Sequence, residues 1–402
     1  MIESLAFIFL VGLLLGSLCT KIKFPRIIGM LLTGIILGPY VLNLFSPQIL
    51  DISSDLRKIA LIIILLKAGL SLDLQDLKKV GRPAIMMSFI PATFEIIAYI
   101  LFAPKLLGIS VIEAGLMGTV LGAVSPAIVV PRMVNLMEEG YGVKKGIPQM
   151  ILAGASCDDI FVIVLFSSFL GMAQGGHFQM TTLFNIPISI VLGILLGILV
   201  GYGLYVFFEK AYVHNNKIRN STKVIIILGV SFLLVSIESW LENIVSVSGL
   251  LAVVSMACVL KMKCSSQVSP RLSEKFGKLW LGAEVILFVL VGAAVDIRYT
   301  LMSGLSVVVM IFVALIIRSL GVYLCTYKTA FNQKERLFCV LAYLPKATVQ
   351  AAIGSVPLAA GLPCGKLILS VAVMAIMITA PLGAIGIDYS YQKLLDKNFE
   401  NV

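Results

Sequence analysis

The segment Ile147-Pro-Gln-Met-Ile-Leu-Ala-Gly-Ala-Ser-Cys-Asp-Asp-Ile-Phe-Val-Ile-Val-Leu-Phe-Ser-Ser-Phe-Leu-Gly-Met172 carries two adjacent carboxylates, Asp158 and Asp159, in the middle of an otherwise uncharged run. The run is long enough to cross a bilayer, whose hydrocarbon core takes about 20 helical residues. An acid in that core costs at least ~2.5 kcal/mol on insertion scales, and two in succession cost more than a structural role requires. Gly154, Ala155 and Ser156 stand just ahead of the pair and leave room for water and an ion. Successive helical residues point about 100° apart. The two carboxylates therefore have different tasks, one facing a water-filled cavity and the other turned toward a basic partner on a neighbouring helix.

The rest of the chain has the same character. Of 402 residues, 59% are hydrophobic and only 13% charged, and the mean hydropathy of +1.04 excludes an ordinary soluble domain. The first segment, from Ile2 to Thr20, lacks the basic leader of a secretory signal and reads as the first membrane span. Apolar windows recur to give thirteen expected spans, centred near residues 12, 35, 63, 93, 121, 160, 195, 231, 251, 286, 313, 344 and 376. Sorting the 31 basic residues by connection leaves only Arg57, Lys58, Lys105, Arg298 and Lys366 on one side. Three more, Lys67, Arg318 and Lys346, fall inside spans. The remainder, from Lys21, Lys78, Lys79 and Lys217 through to Lys397, lie on the other side, which the positive-inside rule assigns to the cytoplasm. The expected orientation thus has the N-terminus outside and the C-terminus cytoplasmic, with no soluble domain in the connections.

The formal charge of +10 reports this orientation rather than an affinity for nucleic acid. The seven cysteines are scattered without a Cys-x-x-Cys pair, and His177 and His214 are the only histidines, so neither a disulfide frame nor a bound metal cofactor is expected. Seven ionisable residues fall at membrane depth: Lys67, Glu95, Asp158, Asp159, Glu284, Arg318 and Lys346. Arg318 keeps its proton at any physiological pH, so it can pair with Glu95 or an aspartate but cannot carry a proton. Lys346 can change protonation if desolvated, tether backbone or pair with Asp158. Lys67 and Glu284 either pair with each other or snorkel.

Two spans contain proline beside small or hydroxyl-bearing residues: Gly122-Ala-Val-Ser-Pro-Ala-Ile-Val-Val-Pro131 and Leu344-Pro-Lys-Ala-Thr-Val-Gln-Ala-Ala-Ile-Gly-Ser-Val-Pro357. Seven spans apart, they occupy equivalent places in two six-span units of opposite orientation joined by one linker span. The expected fold is an all-α membrane protein of thirteen transmembrane helices with an inverted repeat and two broken helices. Residues 1–80 and 222–297 would form the scaffold, 81–173 and 298–402 the ion-carrying core, and 174–221 the linker helix and a cytoplasmic loop. Hard carboxylate and carbonyl oxygens suit Na⁺, and burial makes a proton compete with that cation near neutral pH.

The stretches Ser125-Pro-Ala-Ile-Val-Val-Pro131, Gly140-Tyr-Gly-Val-Lys-Lys-Gly-Ile-Pro148, Gly154-Ala-Ser-Cys-Asp-Asp-Ile160 and Leu344-Pro-Lys-Ala-Thr-Val-Gln-Ala-Ala-Ile-Gly354 resemble the cation/proton antiporter superfamily. The resemblance is strongest to the NHA branch of its second family, related to antiporters of the NhaA and NapA type, and covers essentially the whole chain. It implies a homodimer of core and panel domains with two unwound crossing helices that exchanges Na⁺ or Li⁺ for H⁺ by elevator-like alternating access; the expected location is a bacterial cytoplasmic (cell) membrane. Asp159 would be the carrier of cation and proton and Asp158 its assistant, with Ser125, Pro126, Thr348, Lys346, Arg318 and Glu95 in support. NhaA-type relatives place a lysine where Arg318 stands, and since electrogenic exchange is associated with that lysine, the arginine implies a 1:1 electroneutral cycle. An intramembrane aspartyl protease needs its two acids on facing helices, which adjacent residues cannot supply. Two alternatives remain: a sodium-coupled symporter of an organic anion, which would not need paired acids titrating in the cavity, and a cation channel or sensor, for which the sequence shows no repeated pore motif or symmetric ring.

Overall fold

Long apolar runs broken by Gly, Pro and Asn dictate helices that start and stop abruptly, and the computed structural model is mostly helical in its described parts. It describes residues 1–71, 81–175, 180–213, 219–241, 247–264, 268–296 and 304–397. Lys78, Lys79, Lys217 and Arg298 of the orientation tally lie outside these residues, as do both histidines. In chain order the helices are α1 (Ile2–Lys21), α2 (Arg26–Leu37), α3 (Pro47–Asp51), α4 (Ser53–Ser71), α5 (Arg82–Met87), α6 (Ile90–Leu107), α7 (Val111–Gly122), α8 (Pro126–Glu138) and α9 (Ile147–Ala173). They continue with α10 (Met180–Val213), α11 (Asn220–Leu241), α12 (Gly249–Lys263), α13 (Val268–Ala293), α14 (Gly304–Cys325), α15 (Gln333–Ala342), α16 (Thr348–Gly354), α17 (Val356–Ala359) and α18 (Gly365–Leu394).

Among the described residues, nine helical stretches are long and apolar enough to cross a membrane. The four other expected centres fall on segments that fail that test for visible reasons. Near residue 35, α2 is 12 residues long, and near 251, α12 has 15. Near 63, α4 carries Asp55, Arg57, Lys58 and Lys67. Residue 344 falls between α15 and α16, where the chain is not helical.

The start and stop signals are local. Ser110 and Glu113 form a capping box at the head of α7, as Asn332 and Glu335 do at α15. Gly146, at φ +68°, turns the chain into α9 with Pro148 in its first turn, where a missing N–H costs nothing. Inside the helices, Ser167, Ser168, Ser231 and Ser319, and Ser88 at the end of α5, return their hydroxyls to the carbonyl four residues back, which satisfies them in a lipid environment.

The chain divides into two compact units. The first comprises Met1–Ser54, Asp73–Gln174 and Leu287–Val402. In it α6 packs against α7 and α14, α9 against α5, α7 and α8, and α18 against α15, α16 and α17. Two glycines allow close approaches beside the segment from Tyr343 to Pro345. A Cβ on Gly154 of α9 would strike the Tyr343 hydroxyl, and one on Gly383 of α18 would strike the Pro345 ring. The second unit, Asp55–Leu72 and Gly175–Ile286, is built on α10 and α11 packed against α12.

At one end of the first unit the chain after α18 is tied to the turn before α9. Gly142 N–H donates to the Asp396 carbonyl at 2.9 Å, and Lys145 Nζ donates to both Glu335 oxygens at 2.7 and 2.9 Å. The Glu335 hydrogen bond raises Lys145 above the ordinary lysine value, with a smaller contribution from Asp396. A lysine raised on folding stabilises the fold fully below its unfolded value and loses that contribution as pH climbs through the folded one. Lys145→Ala should therefore lower thermal stability modestly at neutral pH, and the gap to wild type should close only in strongly alkaline buffer.

Candidate functional site

The two proline-bearing segments are both unwound, and they meet. In the first, α7 stops at Gly122, Ala123 to Ser125 are extended, and Pro126 opens α8 at a position that needs no N–H. In the second, α15 stops at Ala342 and α16 begins at Thr348. Ser125 N–H donates to the Pro345 carbonyl at 2.8 Å, joining one break to the other.

Broken helices in a dry interior leave backbone groups that must find partners. Here buried side chains supply them. At the end of α7, the Leu121 carbonyl accepts from Lys346 Nζ, the Gly122 carbonyl from Arg318 Nη1, and the Ala123 carbonyl from Gln350 Nε2 at 2.8 Å. At the end of α15, the Tyr343 carbonyl accepts from Arg318 Nε at 2.8 Å. Cations placed at helix C-termini also sit at the favourable end of the dipole. On the donor side, Val124 N–H reaches Asp158 Oδ2 at 2.8 Å, Lys346 N–H reaches Thr379 Oγ1 at 3.0 Å, and Ala347 N–H reaches Gln350 Oε1 at 2.8 Å.

The same side chains form a closed ionic network. Arg318, on α14, places Nη1 2.8 Å from Glu95 Oε2 and Nη2 3.3 Å from Asp158 Oδ2. Lys346 Nζ lies 2.7 and 2.8 Å from the two Glu95 oxygens. Glu95, Arg318 and Asp158 are fully buried and Lys346 nearly so. Two cations thus face two carboxylates, in one charge-balanced group, with Arg318 joining both anions and Glu95 joining both cations.

Asp159 stands outside this balance. It is also buried, and its Oδ1 has no hydrogen-bond partner among the described residues. Asp158 Oδ1, Ser125 Oγ and Thr348 Oγ1 are among the other buried oxygens that share that condition. The four named oxygens are hard donors carried by α9 and by the two breaks, a set that suits a small monovalent cation better than a soft metal.

The expected site residues Glu95, Ser125, Pro126, Asp158, Asp159, Arg318, Lys346 and Thr348 all lie on the elements that meet at the breaks. Arg318 contacts both Glu95 and Asp158, and Lys346 takes Glu95 and backbone rather than Asp158. Lys67 and Glu284 belong to the second unit, where Lys67 Nζ lies 6.0 Å from the Trp280 ring centroid and Glu284 is buried. Sequence reading did not single out Gln350, Thr379 or Tyr343. Gln350 sits in a quoted motif with nothing to mark its amide, and Thr379 is one hydroxyl in a long apolar helix.

The family model described as sodium/hydrogen exchanger, transmembrane, matches residues 5–388. The chain belongs to the sodium/hydrogen exchanger family. It is a multi-pass membrane transporter that exchanges sodium for protons, not an enzyme. The exchanger is 35% identical to sodium/hydrogen exchanger 9B2 of Homo sapiens, over 96% of this chain and 73% of that protein. It is 32% identical to sodium/hydrogen exchanger 9B1 of Homo sapiens, over 94% and 73%. Its fold matches the sodium proton antiporter MjNhaP1 from Methanocaldococcus jannaschii with a TM-score of 0.79 at 22% identity, over 95% of this exchanger and 98% of that chain.

Proposed function

We propose that this exchanger carries Na⁺ or Li⁺ in one direction and H⁺ in the other through Asp159, which binds either a cation or a proton and is exposed to the two sides of the membrane in turn. The observation that carries the proposal is the charge balance. Arg318 and Lys346 are matched by Glu95 and Asp158, so among the described acids of this site Asp159 is left with no basic side chain to offset its charge. A cation or a proton must offset it. Asp158 supports the site from within the network, its Oδ2 held by Val124 N–H and Arg318 while Oδ1 remains available. Ser125 and Thr348 supply hydroxyl oxygens, Pro126 fixes the start of the half-helix after the first break, and Arg318, Lys346 and Glu95 hold the breaks open.

The wider arrangement belongs to the same proposal. Thirteen spans form an inverted repeat of the NHA branch within the NhaA and NapA type, with the N-terminus outside and the C-terminus in the cytoplasm of a bacterial cell membrane. Residues 81–173 and 298–402 move as an ion-carrying core, 1–80 and 222–297 serve as scaffold in a homodimer, and 174–221 link the halves. Arg318, which keeps its proton, stands where NhaA-type antiporters have the lysine associated with electrogenic exchange, and this supports a cycle of one proton per cation that moves no net charge.

Proteoliposomes acidified inside test this reading. Adding Na⁺ or Li⁺ outside should discharge the pH gradient without any organic co-substrate, and a membrane potential alone should drive no uptake. A requirement for an organic anion would identify a symporter, and cation flux with no proton movement would identify a channel.

A further inference from the structure

Gln350 lies on the first turn of α16, and each atom of its carboxamide is used. Oε1 accepts from Ala347 N–H at 2.8 Å within the second break, and Nε2 donates to the Ala123 carbonyl at 2.8 Å within the first. The assignment is chemically forced, since an N–H needs the amide oxygen and a carbonyl needs the amide N–H. Gln350 is fully buried, and so is the backbone it serves at Ala123 and Ala347. Ala347 has φ −163° and ψ −77°, a conformation outside helix and strand that this amide helps to hold.

We propose that Gln350 is a positioning residue for exchange: its carboxamide ties the second break to the first, so that Ser125, Thr348 and Asp158 keep one arrangement while the site changes access. Ser125 N–H to the Pro345 carbonyl is a second tie between the same segments, but it is backbone to backbone and indifferent to side-chain identity. The Gln350 bridge reaches Ala123, next to Val124, whose N–H binds Asp158. Loosening it therefore disturbs an aspartate that Gln350 does not touch. This inference rests on the site reading above.

Two variants test it in proteoliposomes, with Asp159→Asn as control and thermal stability of the purified protein alongside. Gln350→Leu removes both bonds at nearly constant volume and should fold, yet weaken the apparent Na⁺ affinity about tenfold, the effect of leaving buried backbone groups unpaired. Gln350→Glu keeps the acceptor for Ala347 but turns the donor facing Ala123 into a group that donates only when protonated. Its exchange should approach wild type in acid and fall away as pH rises, beyond the change wild type shows. The charged groups of the neighbourhood are Asp158, Arg318, Glu95 and Lys346. On α7 and α18, which pack against α16, they are Glu113, Lys366, Asp388 and Lys393. All of these are identical in the two proteins being compared, so the added carboxyl alone accounts for a difference.

Wild-type affinity and rate in Gln350→Leu, or a pH profile of Gln350→Glu parallel to wild type, overturns the inference. So does failure of both variants to fold, which would make Gln350 a folding residue only. If Asp159→Asn exchanges normally, the site reading itself has failed, a result distinct from normal behaviour of the Gln350 variants alone.

Discussion

Asp159→Asn abolishes exchange while leaving the protein folded. Asparagine matches aspartate in shape, so packing around α9 is kept, but it neither takes up a proton at working pH nor supplies the negative charge that a dehydrated cation needs. Asp158 cannot substitute. Its charge already answers Arg318 and Val124 N–H, and committing it to a cation would leave the buried guanidinium short of a counter-charge. The expected result is cation-evoked proton flux at the level of empty vesicles, with thermal stability close to wild type. Asp158→Asn should be milder in transport, weakening it or shifting its pH dependence, because a carboxamide oxygen still accepts from Val124 and Arg318. Wild-type rates in Asp159→Asn would remove that residue from the cycle.

The second large effect falls on stability. Glu95 is the anion that Arg318 and Lys346 share, with all three side chains cut off from solvent. A buried ion pair contributes little net free energy against an apolar replacement, yet removing one member strands the other, at about 3–5 kcal/mol. Glu95→Ala strands two cations at once. Arg318 cannot neutralise itself by losing a proton, and Lys346 would also remain bound to the Leu121 carbonyl without a counter-charge. Against a typical total stability of about 5–15 kcal/mol, the variant should fold poorly or unfold at markedly lower temperature. Glu95→Gln keeps the acceptor geometry and should fall between the two. An unchanged unfolding temperature for Glu95→Ala would mean that the network does not hold the breaks together.

Much of this was legible in the sequence, and the reason is that membrane helices announce themselves locally. Length, hydropathy and the proline and glycine punctuation of Gly122 to Pro131 and Leu344 to Pro357 act over one or two turns, so both interruptions could be placed before any coordinates. The adjacent acids were legible because a charge at membrane depth is costly enough to stand out. The wiring was not. Arg318 was expected to pair with Glu95 or an aspartate, but that it meets both, and that Glu95 also takes Lys346 across more than two hundred residues, is decided by packing alone. The split of tasks between Asp158 and Asp159 was expected from their 100° separation. Their positions show which one lies in the ionic network, and that follows from how α9 is rotated against α14. Gln350 and Thr379 were invisible for the same reason: an amide or hydroxyl becomes informative only when the backbone group it serves is known. Gly154 was read as leaving room for water and an ion and Gly383 drew no notice, yet both matter because Tyr343 and Pro345 come to rest against them.

The central claim is that proton and alkali cation compete for one carboxyl group, Asp159. Adding Na⁺ to the purified exchanger in weakly buffered detergent solution, with no membrane and no gradient, tests that claim without the complications of transport. The account predicts prompt proton release from wild type, saturating with Na⁺, smaller at higher pH where fewer sites carry a proton, and absent in Asp159→Asn. Sodium binding with no proton release from wild type, or equal release from Asp159→Asn, would contradict it.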